Sequence, residues 1–210
     1  MQLHWHRRDL RGADNRALAA AAEAAREADG GVLALFVFDD GVLDYAGAPR
    51  VGYLLDALAE LREWYRDRGG DLLVRHGDPV EVVPEVASEV DADRVVWNTD
   101  YSGLARERDA TVRQALNESG VDRESFHDAI CHEPGSITTN AGDPYSVFTY
   151  FGRKWADRPK DDPYPAPESA QLVDADSVGV DAGSLPTLAD LGFEEPEADL
   201  LAAGTEAARQ

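Results

Sequence analysis

The sequence predicts an α/β protein, a doubly wound parallel sheet of five strands with a trailing acidic linker. Three observations carry that expectation. Short apolar runs alternate with amphipathic helical patterns along the first 157 residues. The clearest runs are continuously apolar, as strands buried on both faces must be. Glycine or aspartate punctuates the transitions between them. A strand–helix series of this kind winds right-handed and covers both faces of one sheet with helices.

Each element has its own warrant. Leu3–His6 opens the chain as the first strand. Asn15–Ala28 is an alanine-rich helix, with Asp14 placed to cap it and Gly30-Gly31 to stop it. Val32–Phe38 (VLALFVF) is the strongest strand. Pro49–Arg68 sets Val51, Leu54, Leu55, Leu58, Leu61 and Tyr65 at helical spacing, with Pro49 in its first turn and Gly69-Gly70 after it. Leu72–Val74 and Val95–Trp97 supply two more strands, and Pro79–Val90 and Leu104–Ser119 two more helices. A weaker stretch, Ser125–Ala129, completes the sheet.

The composition changes near Arg158. From there to Gln210 lie six of the 11 prolines, and 12 acidic residues stand against Arg158, Lys160 and Arg209. Residues 158–203 therefore read as an irregular, acidic interdomain linker rather than a second domain. Residues 204–210 read as the start of a helix that one turn cannot sustain. The chain is expected to stop inside a larger protein.

Charge and composition narrow the function. A net charge of −21 argues against a nucleic-acid or anionic-membrane binder working by electrostatics. No apolar run approaches the roughly 20 residues of a membrane span, and MQLHWHRRDLRG lacks a signal-peptide core. The single Cys131 excludes an internal disulfide and fits a cytoplasmic protein. Of the 20 basic residues only Lys154 and Lys160 are lysines. An acid-rich, lysine-poor chain suits a cytoplasm near molar salt, where the Debye length of about 3 Å screens self-repulsion.

Several site types drop out. Neither GxxxxGK[ST] nor GxGxxG follows a strand, so no phosphate loop is expected. His4 and His6 share a strand face, but without a third ligand nearby they read as sheet residues, and no metal is expected. Cys131 and His132 are neighbours on extended chain and face opposite ways, which is no catalytic dyad. Trp64 and Tyr65 read as helix core or cover. No residue is assigned a catalytic role.

In an open parallel sheet, ligands sit outside the carboxyl ends of the strands, where the strand order reverses. The polar residues there are Arg7-Arg8-Asp9-Leu10-Arg11, Asp39-Asp40, Asn98-Thr99-Asp100-Tyr101 and Arg106-Glu107-Arg108-Asp109. Arg7, Arg8 and Asp9 are read as structural, at the sheet's edge or a domain junction.

Four stretches, in order across about residues 2–157, resemble the DNA photolyase/cryptochrome family. They are Leu3-His4-Trp5-His6-Arg7-Arg8-Asp9-Leu10-Arg11 closed by Asp14-Asn15-Arg16-Ala17-Leu18, then His76-Gly77-Asp78-Pro79, then Trp97-Asn98-Thr99-Asp100-Tyr101 with Ala105-Arg106-Glu107-Arg108-Asp109. The last is Gly142-Asp143-Pro144-Tyr145-Ser146-Val147-Phe148-Thr149 with Lys154-Trp155. Two departures stand out: Ser102-Gly103-Leu104 where microbial members often carry an acidic residue and Pro-Tyr, and Asp40 where proline is frequent.

The resemblance implies an α/β antenna domain over residues 1–157, Rossmann-like in winding. It implies a connector, and then a helical domain holding FAD and the damaged base pair. The activity implied for the parent is that of a deoxyribodipyrimidine photo-lyase, a carbon–carbon lyase that splits cyclobutane pyrimidine dimers by light-driven electron transfer from reduced FAD. This fragment alone would be inactive. Its partners would be its own FAD domain and, through that domain only, UV-damaged DNA; the protein is expected to be monomeric and off the membrane.

The antenna implied is an 8-hydroxy-deazaflavin, with a folate as the alternative. The crevice residues expected to hold it are Arg11, Phe36, Val37, Phe38, Asp39, Arg50, Asp100 and Arg106. Phe36-Val37-Phe38 would wall a flat ring, Asp100 would make a polar contact, and Arg50 and Arg106 would meet an ionised oxygen. A signalling cryptochrome and a stand-alone nucleotide-binding module remain the competing readings.

Overall fold

Strand β1 (Gln2–His6) runs through the centre of a parallel sheet, between β2 (Val32–Phe38) and β4 (Arg94–Asn98), in the computed structural model, which describes residues 1–209. Strands β3 (Leu72–His76) and β5 (Asp122–Phe126) form its edges, so the order is β3-β2-β1-β4-β5. The chain winds outward from β1 to β3, returns, and winds outward again. Strand order therefore reverses between β1 and β4.

Helix α1 (Arg16–Glu27), the single turn α2 (Asp40–Leu43) and the long α3 (Ala48–Arg66) follow the first two strands. α4 (Pro79–Glu89) and α5 (Gly103–Glu118) follow the next two. Because strand side chains alternate in direction, Leu3, Trp5, Leu33, Leu35, Val95 and Trp97 pack with α4 and α5. Ala34, Phe36, Phe38 and Val96 pack with α1 and α3 on the opposite face. The two-faced burial expected from the continuous apolar runs is what the sheet has.

Three local readings need correction. The cap of α1 is Asn15, whose side chain accepts from Leu18 N, and not Asp14. Asp14 takes a left-handed backbone (φ 50°), and its carboxylate accepts from the amide of Tyr164 at 3.1 Å. β5 begins at Asp122, ahead of the expected Ser125–Ala129. As a half-exposed edge it carries DRESF, and charge on an edge strand hides the strand from a search for apolar runs. Helix α6 (Phe148–Asp157) was not expected, and none of its residues is buried.

Residues 158–203 are irregular apart from two short 3-10 turns, Ser169–Gln171 and Ala175–Val178, and lead to α7 (Gly204–Ala208). They do not hang free. Leu172, Ala175 and Val180 are buried against the sheet, and Leu188 is buried beside Gly52 of α3. Val173 N donates to the Val32 carbonyl of β2 (3.0 Å), beyond the start of β3, and Val74 N donates to the Ala182 carbonyl (2.8 Å), so this segment pairs with the start of β2 and covers the outer edge of β3 at Val74. Single apolar residues set among aspartates bury enough to dock it, a signal that composition averages away.

Candidate functional site

β1 delivers the loop of residues 7–14 to the carboxyl edge of the sheet, and a web of amides fixes it there. Asn98 Nδ2 donates to Asn15 Oδ1 (2.8 Å) and to the Asp9 carboxylate, while Asn98 Oδ1 accepts from Ala17 N at 3.0 Å. Asn15 Nδ2 reaches Asp9 (3.3 Å) and the Arg11 carbonyl (3.2 Å), and its Oδ1 caps α1. Both asparagines are buried, so this fully satisfied network is rigid. Beneath it, His6 Nδ1 faces the Asp9 carbonyl at 3.2 Å and must donate to it. Nε2 then accepts from the Tyr65 hydroxyl at 2.8 Å. Burial, opposed by Asp9, lowers the His6 pKa to about 4, and burial raises that of Tyr65 well above its usual value; both are neutral.

Charged pairs lock the neighbouring elements. Arg7 Nη1 donates to Asp109 Oδ1 at 2.5 Å, and Asp109, buried, also accepts from Trp97 Nε1 at 3.2 Å. Arg108 Nη1 donates to Asp39 Oδ2 at 2.9 Å, and the other oxygen of Asp39 accepts from Gly41 N to cap α2. The guanidinium groups of Arg7 and Arg108 lie 5.0 and 5.3 Å from the centroid of the Trp5 ring. β1, β2 and α5 are thereby tied around one indole.

Two hollows open beside this frame. The smaller, about 170 Å³, lies over the reversal point and is lined by Arg8, Asn98, Thr99 and Asp100. Arg8 donates to Asp100 at 3.2 Å, and Asp100 accepts from Ser102 N at 3.0 Å. Burial alone would raise the Asp100 pKa; the Ser102 amide and Arg8 outweigh it, and the pKa is lowered. Arg11 pairs with Asp128 at 2.5 Å, yet burial outweighs that contact and raises the Asp128 pKa.

The larger cavity, about 850 Å³, opens over β2 between α2, α3, the start of α5 and α7. Its wall is mostly apolar: Phe36, Val37, Phe38, Leu43, Leu54 and Leu104. The rings of Phe36 and Phe38 stand edge to face, with centroids 5.0 Å apart.

Of the residues expected at the crevice, Arg11, Phe36, Val37, Phe38, Asp39 and Asp100 line this cavity. Arg50 and Arg106 do not. The Arg50 guanidinium is spent on the Tyr45 carbonyl at 2.6 Å, and Arg106 is exposed on the outer side of α5. From α5 it is Arg108 that enters the wall, beside Arg7, Arg8, Arg11 and Arg209. Helical spacing was the signal that could have found it, since Leu104, Ala105 and Arg108 form one stripe from the Ser102 cap. Arg7, Arg8 and Asp9 stand at the carboxyl end of the central strand rather than at the sheet's edge, and they line both hollows.

His4, His6 and Asp9 bring three ligand-type atoms within 4.8 Å of one another. Both nitrogens of His6 and the Asp9 carboxylate are already engaged in the hydrogen bonds above. His4 has both nitrogens buried and unpartnered, and burial pushes its pKa well below the usual histidine value. It is a neutral core residue.

Comparison with known proteins places this architecture. The DNA photolyase family model matches residues 2–168. A deoxyribodipyrimidine photo-lyase of Halobacterium salinarum is 60% identical over 214 residues, covering all of this chain and 44% of the relative. The acidic, lysine-poor composition fits that halobacterial likeness. An archaeal photolyase from Sulfolobus tokodaii, crystallised with two FAD molecules, superposes with a TM-score of 0.78 at 24% identity over 97% of this chain and 44% of its own. A Synechocystis cryptochrome superposes at 0.82, with 19% identity over 99% of this chain and 44% of its own. The chain thus spans less than half the length of these relatives. The sheet order and helices are those of the N-terminal domain of these proteins, and the chain belongs to the DNA photolyase family.

Proposed function

We propose that the large cavity holds a flat, light-absorbing chromophore, an 8-hydroxy-deazaflavin in preference to a folate, and that the chain is the antenna unit of a deoxyribodipyrimidine photo-lyase. The observation that carries this reading is the 850 Å³ cavity, apolar on its β2 and α3 side with Arg108 and Asp100 at its rim. Phe36 and Phe38 give a ring an edge and a face to pack on. Arg108, already balanced by Asp39, presents a guanidinium to an ionised ring oxygen. Asp100, ionised, accepts from a ring N–H or a side-chain hydroxyl of the ligand. The volume and apolar lining of the cavity favour a tricyclic ring over a folate in a shallower groove. When bound, such a chromophore absorbs light and passes excitation to the FAD of the catalytic unit. Here Arg7, Asn98 and Asn15 only hold the walls still, and no residue of this chain breaks a bond.

The catalytic unit would be the remainder of the parent protein. Along α6, Phe148 and Trp155, seven residues apart, share a face and are 81% and 39% exposed, a face suited to being covered by that remainder. We place the parent in the cytoplasm as a monomer, meeting damaged DNA through its other domain. No described helix is long and apolar enough to cross a membrane. Repair is favoured over signalling by the 60% identity to the halobacterial photo-lyase.

Reconstitution tests the ligand. The chain, in 2 M KCl, is titrated with 8-hydroxy-5-deazariboflavin, FAD and methenyltetrahydrofolate, and binding is followed by fluorescence. FAD is included because the Sulfolobus relative carries two. The deazaflavin is expected to bind tightest, and Arg108→Ala and Asp100→Ala are expected to weaken it about tenfold, the loss of a charge-assisted contact. Tighter folate binding, or indifference to both substitutions, refutes the assignment. Rescue of UV survival under blue light by the full-length parent is the expected result for repair.

A further inference from the structure

α7 is only five residues long, too short to hold itself together in water. Its N-cap, Ala203, offers no side-chain acceptor, so its first amides need partners from elsewhere. Glu60 of α3 supplies one oxygen to both. Glu60 Oε1 accepts from Thr205 N at 2.5 Å and from Glu206 N at 3.2 Å. A carboxylate at a helix start is also favoured by the helix dipole.

Two glycines make the approach possible. Gly204 has φ 91°, and the Glu60 carboxylate occupies the space a Cβ there would need. On α3 itself, a Cβ at the buried Gly52 would lie 2.7 Å from Leu200 Cδ1. Seated in this way, the C-terminal segment contributes Gly204, Thr205, Ala208 and Arg209 to the wall of the large cavity. Glu60 is not part of that wall.

We propose that Glu60 is a positioning residue for the cavity's ligand, clamping residues 204–208 against α3 so that ligand binding and docking of the C-terminal segment are linked. The proposal rests on the chromophore reading above. A ligand that touches the docked wall binds the docked form more tightly, and by reciprocity steadies the docked segment. Where docking is weakened, apparent affinity falls with the docked fraction. In the parent protein the clamp would make chromophore occupancy and the seating of the chain beyond α7 report on each other.

The test uses the whole chain in 2 M KCl with 8-hydroxy-5-deazariboflavin as probe. Glu60→Ala is expected to raise the Kd at least fivefold. Glu60→Gln, which keeps the acceptor oxygen, is expected to stay within twofold of the unaltered chain. Amide hydrogen exchange at Thr205 and Glu206 is expected to slow on saturation with the probe, and to lose that response in Glu60→Ala. The exchange response is read on the unaltered chain, so it decides the matter even if the alanine variant folds poorly. A Kd for Glu60→Ala within twofold, or exchange at 204–209 untouched by saturating probe, overturns the clamp alone. Failure of the unaltered chain to bind the probe overturns the chromophore reading, and the clamp with it.

Discussion

Over the junction of β1 and β4 the molecule turns its polar side chains on one another; over β2 and α3 it leaves apolar side chains facing open space. The first region keeps about 170 Å³, although the reversal of strand order lies there. The second keeps about 850 Å³. Topology opens a crevice at the reversal point, but contacts of Arg7 with Asn98, of Asn98 with Asp9 and of Arg8 with Asp100 narrow it. The room for a ligand has moved one strand over, to the side where Arg108 stands in an apolar wall. Rigidity and vacancy are divided between neighbours, and stability should follow one while affinity follows the other.

Arg7→Met tests the rigid side most severely. It leaves the Asp109 carboxylate, 2% exposed, with the Trp97 N–H and Arg108 Nε at 3.9 Å, and loss of the close partner of a buried charge costs on the order of 3 kcal/mol. The urea midpoint should fall accordingly, and Arg7→Met combined with Asp109→Leu should recover much of the loss. Acid comes next. His4 and His6 are neutral in the fold, His6 with a pKa lowered to about 4, whereas the unfolded chain takes a proton on each near pH 6.5. Between those values the unfolded state holds more protons. Stability therefore drops as pH falls below 6.5, by about 1.4 kcal/mol per pH unit for each histidine. Denaturation series at pH 7, 6 and 5 should show that slope. His4→Leu, which removes two unpartnered nitrogens, should reduce it by one proton and stabilise the fold at pH 5.

The open side should answer differently. Leu104 is 52% exposed at the cavity rim, so Leu104→Ala should leave the melting temperature within the range of an ordinary surface change, about 0.5 kcal/mol. It should nonetheless weaken deazaflavin binding about threefold, the worth of the few methylene groups lost from the wall. A stability loss without an affinity loss would erase the distinction between the two sides. Smallest of all, Arg50→Ala and Arg106→Ala should change neither quantity, since neither side chain reaches either hollow. A measurable loss of affinity in either variant would return those arginines to the site.

Strands β1 to β4 and helices α1, α3, α4 and α5 are legible because their warrants are local: apolar runs, helical spacing, proline at a helix start, glycine after its end. The cavity is legible to the extent that it is made by strand ends, which is why Arg11, Phe36, Val37, Phe38, Asp39 and Asp100 could be named. What depends on tertiary placement is not legible. Whether an arginine in a helical first turn points inward is decided by contacts such as Arg50 with the Tyr45 carbonyl. That α7 joins the wall is decided by Glu60, some 145 positions earlier in the chain. The burial of Leu172, bridged to Val32 of β2, and of Val180, close to the Ala182 carbonyl that covers β3 at Val74, likewise depends on strands distant in sequence.

That cover has a consequence for how the protein is made. On the ribosome, Leu72–Val74 emerges about a hundred residues before Ala182, the carbonyl that will bond to its outer amide. Throughout that interval β3 carries an apolar stretch and an unpaired edge, ready to accept a strand from any neighbouring chain. β5, with Asp122, Arg123 and Glu124 at its start, carries its own protection. The acidic segment is synthesised last among the sheet's contacts. It brings a partner for the Val74 amide and a dense block of like charge together, and both oppose pairing of that edge with another chain.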